Sequence, residues 1–96
     1  MAISLQLYLS TILQNTYSLV IFPAVMSGLI ESLKLGATQT NNGDYSSAIR
    51  TYLDALKIDE DNATAWFCLG VLYSKTGLLK DAVEAFMKCD ENYPDH

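Results

Sequence analysis

The sequence AWFCLGVLYSKTGLLKDAVEAF, residues 65–86, places large and small apolar side chains at regular helical intervals. Trp66, Leu69 and Tyr73 recur at i, i+3 and i+7, which puts them on one face of a helix. A second run with helical spacing begins after Gly77, a residue suited to the left-handed backbone that ends many helices. The stretch therefore predicts two short helices joined by a tight turn.

This stretch lies in the second of two tandem copies, residues 29–62 and 63–96, which align at an offset of 34 residues. At this offset, the paired residues agree in size as well as in identity, so chance is a poor explanation of the similarity. The matched pairs are Leu35 with Leu69, Gly36 with Gly70, Gly43 with Gly77, Ala48 with Ala82, Ile49 with Val83, Tyr52 with Phe86 and Ala55 with Cys89.

The period and the spacing resemble the tetratricopeptide repeat family over residues 29–96. The second copy holds every signature residue, namely Trp66, Leu69, Gly70, Tyr73, Ala82, Phe86 and Pro94. The first copy departs from the signature, with Ser32, Gln39 and Glu60 in place of Trp, Tyr and Pro. The resemblance implies an all-α fold, in which tandem antiparallel helix-turn-helix pairs form a short α-solenoid.

The sequence predicts where each helix begins and ends. Gly43 and Gly77 are expected to end the first helix of each copy, and Asn62 to cap the helix that follows it. Small residues such as Gly70 and Ala82 are expected where paired helices cross, because they let the two axes approach closely. The predicted helices cover residues 24–41, 44–57, 63–76 and 79–91.

Residues 1–28 form a predicted N-terminal segment that is distinct from the repeat domain of residues 29–96. The first 30 residues contain no charged side chain. We expect a helix over residues 3–21 and a joint at Pro23. Three interpretations remain open: a membrane-inserted or membrane-bound helix, a helix packed on protein, or a cleaved segment. The polar residues Gln14-Asn15-Thr16 and the lack of flanking basic residues weigh against a simple membrane span.

Composition argues against several classes of function. The net charge is −5 and the six basic residues are scattered, which disfavours nucleic-acid binding. Cys68 and Cys89 lack metal-ligand spacing and are expected to be free thiols, so no metal or cofactor is predicted. The only histidine is His96, which leaves no Ser-His-Asp set, and we expect no enzymatic activity. The acidic run at residues 59–61 is expected to be a solvated turn.

Stacked repeats present a concave surface lined by the first helix of each pair, and such surfaces bind ligands. The predicted groove residues are Ile30, Leu33, Lys34, Ala37, Asn41, Thr64, Phe67, Cys68, Val71 and Lys75. Some family members hold a peptide carboxylate with Lys and Asn at set positions, but Leu33, Ala37 and Cys68 stand there, so that clamp is not expected. We expect this mostly apolar groove to be filled, either by the N-terminal helix folding back or by an apolar helix or peptide of a partner. The alternative is that two copies are too short to curve into a groove and that this face instead pairs with a second copy of the chain, in a dimer or in a crystal.

The family resemblance implies a protein–protein interaction adaptor that docks on, or helps to assemble, a larger complex. The apolar N-terminal segment adds the expectation that this complex is embedded in a membrane. The layout of an apolar segment followed by a few repeats resembles that of organelle and bacterial assembly proteins. The alternative is a permanent accessory subunit of a membrane complex, for example a photosynthetic or respiratory one. Val83, Met87 and Tyr93 are expected to be partly exposed unless another element covers them.

Overall fold

The computed structural model describes the backbone of residues 2–92, together with the side chains of residue 21 and residues 23–92. This part of the chain is four α-helices joined by three short turns, with no strand among the described residues. The helices are α1 (Ala2–Asn41), α2 (Tyr45–Ile58), α3 (Ala63–Lys75) and α4 (Leu79–Asn92). The predicted all-α repeat fold is confirmed, and the ends of α2, α3 and α4 lie within one residue of the predicted positions.

The turns follow from local chemistry at the helix ends. Gly43 and Gly77 adopt φ values of +78° and +83°, a left-handed backbone that glycine tolerates best. The side-chain oxygen of Asn62 accepts a hydrogen bond of 2.9 Å from the backbone N–H of Ala65 at the start of α3. The glycine turns and the Asn62 cap are therefore confirmed.

The predicted joint at Pro23 is wrong, because α1 continues through this residue as one helix. Proline lacks an N–H, so the carbonyl four residues earlier loses its usual helical donor at a cost of about 3 kcal/mol. Pro23 itself is exposed on α1. Its neighbours Ile21, Phe22, Ala24 and Val25 include no turn-forming residue, which leaves the chain no favourable loop at this point.

Two glycines let aromatic rings lie against helix backbone. A Cβ atom added to Gly36 would lie 2.7 Å from Cζ of Tyr52, and one added to Gly70 would lie 2.6 Å from Cε1 of Phe86. Each distance is well below van der Waals contact, so only glycine fits without displacing the ring. The two pairs are related by the 34-residue offset, so the small residues serve the same packing in both copies.

The core runs along the row of helices. α1 pairs with α2, α3 pairs with α4, and the two hairpins are joined by the contact between α2 and α3. Ala48, Ala55 and Ala65 are fully buried, and Leu69 and Leu72 are the largest side chains with almost no exposure. The small residues bring the backbones together and the leucines fill the space between hairpins.

The N-terminal half of α1 extends past the end of α2. A helix of 40 residues is about 60 Å long at 1.5 Å per residue, which accounts for the 64 Å length of the molecule. The N-terminal helix predicted from the sequence is therefore the first half of α1, and the side chains of residues 1–20 and 22 lie outside the described part. α1 crosses residue 28 without a break, and the division into residues 1–28 and 29–96 stays a prediction.

Candidate functional site

A concave cavity of about 220 Å³ opens between α1 and α3, with α2 behind it. Its walls are mostly apolar, with hydroxyl and amide groups at one end. The lining residues are Ala37, Thr40, Asn41, Tyr52, Phe67, Cys68, Val71 and Leu72. This is the inner side of the row of helices, where the sequence predicts a binding groove.

Half of the ten predicted groove residues line this cavity. Ala37 and Asn41 come from α1, and Phe67, Cys68 and Val71 come from α3. Phe67 also borders a neighbouring hollow of about 300 Å³, which contains a sixth predicted residue, Thr64, together with Ala63 and Cys89. The structure therefore places six predicted residues along one continuous strip of α1 and α3.

The other four predicted residues do not line either hollow. Ile30 and Lys34 are exposed on α1, nearer its N-terminus, and Leu33 is half-buried against the core. Lys75 is exposed at the end of α3, with its Nζ 5.6 Å from the centre of the Tyr45 ring. Leu33 is thus partly a packing residue, because α2 lies beside this turn of α1.

Sequence reasoning missed three lining residues, Thr40, Tyr52 and Leu72. Thr40 lies three residues after Ala37, so helical periodicity could have placed it beside the groove. Tyr52 belongs to α2, and the prediction considered only the first helix of each copy. Its ring reaches the cavity by crossing Gly36, a contact that depends on the closeness of α1 and α2.

Phe67 dominates the surface of the site. It is 53% exposed, and its ring contacts that of Phe86 edge to face, with ring centres 5.9 Å apart. Such a contact holds the ring in one orientation and leaves most of it facing solvent. A large, fixed aromatic side chain at the edge of an apolar cavity is suited to contact another apolar surface.

The polar chemistry of the site is limited. Burial raises the pKa of the Tyr52 hydroxyl well above its usual range, and the neighbouring Cys68 thiol raises this pKa further. The hydroxyl therefore stays protonated at neutral pH and acts as a neutral hydrogen-bonding group. Across the residues that the structure describes, no group of three or more His, Cys, Asp or Glu side chains is placed to hold a metal ion. The cavity offers mainly shape and apolar area, with the Tyr52 hydroxyl and the free thiol of Cys68 in its wall.

Two family models match the sequence. One, described as TPR repeat, matches residues 36–77, and the other, described as tetratricopeptide repeat, matches residues 63–96. Together they cover α2, α3, α4 and the C-terminal end of α1. The chain belongs to the tetratricopeptide repeat family. The second match spans the same residues as the second predicted copy, and no curated protein matches the chain significantly.

Tetratricopeptide repeats generally mediate protein–protein interaction and are typically not catalytic. In this chain, the inner surface of the repeats is open. The N-terminal half of α1 does not fold back into the groove, because it continues the axis of the first repeat helix instead of reversing direction. Of the two occupants that the sequence leaves open, a folded-back N-terminal helix does not fit the continuous α1, and an apolar helix or peptide of a partner stays a prediction. Within the described residues, no helix combines the length and the apolar character needed to cross a lipid bilayer.

Proposed function

We propose that this protein is a non-catalytic adaptor that binds an apolar helix or peptide of a partner protein in the groove between α1 and α3. The observation that carries the proposal is the exposed ring of Phe67 beside an apolar cavity. Covering an exposed aromatic side chain of this size contributes about 1.5–3 kcal/mol, so the groove gains stability from an occupant.

The shape of the groove supports a narrow ligand. The cavity and the neighbouring hollow follow α3 from Thr64 to Val71, about two helical turns. A helix that offers two or three apolar side chains on one face matches this length, as in other helix-in-groove complexes. Asn41 and Thr40 at one end supply hydrogen-bonding groups that favour one orientation of the ligand.

The test uses a matched pair of variants, Phe67→Asp and Leu53→Asp. Both replace an exposed large apolar residue with a carboxylate, but Leu53 lies on α2 outside the cavity. Proteins captured from cells by the full chain are identified by mass spectrometry, and direct binding of each purified candidate is measured by titration calorimetry. We expect a partner that binds the wild-type chain and the Leu53→Asp chain but loses at least about 2 kcal/mol of affinity for Phe67→Asp. Equal affinity for all three chains would contradict the proposal.

We further propose that the partner belongs to a larger, membrane-associated complex, and that the N-terminal half of α1 contributes to the association. The support is the composition of the first 30 residues, which carry no charge and can therefore enter an apolar environment without desolvating an ion. Carbonate extraction of membranes distinguishes the full chain from a chain lacking residues 1–28. Retention of only the full chain in the pellet supports the proposal, and release of both forms contradicts it.

An adaptor that assembles a complex and a permanent accessory subunit differ in stoichiometry. We propose the first role, because a groove of about 220 Å³ offers a short apolar segment a small contact surface, which is suited to reversible binding. Sedimentation of the detergent-solubilised complex separates the two roles. An assembly adaptor is found with immature complexes, whereas a permanent subunit co-migrates with the mature complex at a fixed ratio.

A further inference from the structure

The exposed face of α4 is a second apolar surface. Leu79, Val83 and Met87 recur every four residues, and all three are more than half exposed. Phe86 lies beside this stripe and is 38% exposed. We call these four residues the α4 stripe. It is continuous over two turns, which is the pattern of a helix face that packs on another helix.

The first copy shows what a covered stripe looks like. The residues 34 positions earlier in α2 are Tyr45, Ile49, Tyr52 and Leu53. There, α3 packs on α2, and Tyr45 and Ile49 are half-buried against the core. Tyr52 is only 3% exposed, although it occupies the position equivalent to Phe86. Leu53, the fourth equivalent residue, stays 41% exposed, so three of the four equivalent positions are covered at least in part.

Charged residues argue against the simplest occupant, which is α1 of another copy stacked head to tail as α3 stacks on α2. In the contact between α2 and α3, Leu56 and Ala65 are buried core residues. The equivalent positions on the two docking surfaces are Asp90 on α4 and Glu31 on α1. Head-to-tail stacking would bury two carboxylates in place of two apolar side chains, at a cost of several kcal/mol.

We propose instead that two copies of this chain pair through α4 in antiparallel orientation, about a two-fold axis at the level of residue 85. This arrangement sets Val83 of each copy level with Met87 of the other, so the centres of the two α4 stripes cover each other, whereas Leu79 lies level with Glu91 and Phe86 with Glu84. It sets Lys80 of each copy level with Asp90 and next to Glu91 of the second copy. The stripe and the charges are therefore self-complementary, as a two-fold interface requires.

The first test measures the mass of the full chain by sedimentation equilibrium over a range of concentrations, for wild type and for Val83→Glu, Val25→Glu and Phe67→Glu. These three exposed sites lie on the α4 stripe, on α1 and in the groove. We expect wild type, Val25→Glu and Phe67→Glu to reach twice the 10.6 kDa of one chain. Val83→Glu is expected to weaken pairing by at least about 100-fold, because two carboxylates enter an apolar interface.

Monomeric wild type, or pairing that persists in Val83→Glu, would overturn the proposal. Pairing lost in Val25→Glu or Phe67→Glu but kept in Val83→Glu would place the interface on α1 or in the groove, and would overturn it as well. Helical content by circular dichroism shows that each variant is folded.

The second test reverses charges on the surface, which leaves the fold intact. At low salt, Lys80→Glu alone is expected to weaken pairing about tenfold, since it places like charges together at two symmetric sites. The double variant Lys80→Glu/Glu91→Lys is expected to restore part of the lost affinity, because residues 80 and 91 again carry opposite charges while Asp90 still repels the carboxylate at residue 80. Glu91 has only a 3.9 Å surface contact with Lys88 within its own chain, so its replacement has little effect on folding. Failure of the double variant to restore pairing would overturn the antiparallel arrangement.

Discussion

Replacing Gly36 with alanine tests the packing of the repeats most sharply. In a helix interior, Gly→Ala alone is worth about 1 kcal/mol of stability, because alanine has the better helix propensity. The new methyl group at residue 36, however, would lie 2.7–2.9 Å from three carbon atoms of the Tyr52 ring. That ring is 3% exposed and has no open space to enter, so overpacking should cost about 1–3 kcal/mol.

Two other helical glycines serve as matched comparisons. At Gly28 the added methyl group meets nothing closer than Ile58 Cδ1 at 3.9 Å, so Gly28→Ala should stabilise the chain by up to about 1 kcal/mol. At Gly70 the methyl group would lie 2.6 Å from the Phe86 ring, but this ring is 38% exposed and has room to shift toward solvent, at the cost of its contact with Phe67. We expect the stability of Gly70→Ala to lie between that of Gly36→Ala and that of Gly28→Ala.

Thermal unfolding followed by circular dichroism ranks the three variants. A net loss of about 1 kcal/mol corresponds to a Tm lower by about 4–8 °C in a domain of this size. Gly28→Ala should therefore raise the Tm and Gly36→Ala should lower it. If Gly36→Ala were as stable as Gly28→Ala, the requirement for a small residue under the ring would be refuted.

Three further predictions concern caps and pH. Asn62→Ala should destabilise the chain by about 1 kcal/mol in urea unfolding, since the first turn of α3 loses its cap, whereas Asn62→Ser should retain most of the stability. Gly43→Ala and Gly77→Ala should each cost about 1 kcal/mol because φ is positive at both, with Asn the mildest replacement in the same assay. The pKa of Tyr52 is raised in the folded state, so Tyr52 loses its phenolic proton at a lower pH in the unfolded chain than in the folded one. The contribution of Tyr52 to the free energy of unfolding is therefore constant below about pH 10 and falls above it. Tyr52→Phe should reduce this alkaline loss, as judged by the pH dependence of the Tm.

The regular parts of the fold follow from local sequence chemistry. The positive-φ glycines, the Asn62 cap and the helical spacing of Trp66, Leu69 and Tyr73 each act over a few residues, so the sequence predicts the bounds of three helices closely. Pro23 shows the opposite case. Whether a proline ends a helix depends on what lies around it, and here the exposed position and the lack of turn residues let α1 continue.

The groove could be predicted only in part, for a related reason. Periodicity assigns residues to a helix face, and this was sufficient for Phe67 and Val71. It does not show how far a side chain crosses from one helix to the next. Tyr52 reaches the cavity across Gly36, and Leu33 turns toward the core because α2 lies beside it. Both depend on the distance between helices, which is a property of the packed structure.

The central claim is that each repeat packs an aromatic ring directly on a glycine of its own first helix. Nuclear Overhauser spectroscopy of the full chain tests it most directly. The account predicts cross-peaks from the α-protons of Gly36 to the Tyr52 ring and from those of Gly70 to the Phe86 ring, with upfield shifts of both glycines. Glycine α-protons at ordinary shifts, with no cross-peak to either ring in a folded helical chain, would contradict it.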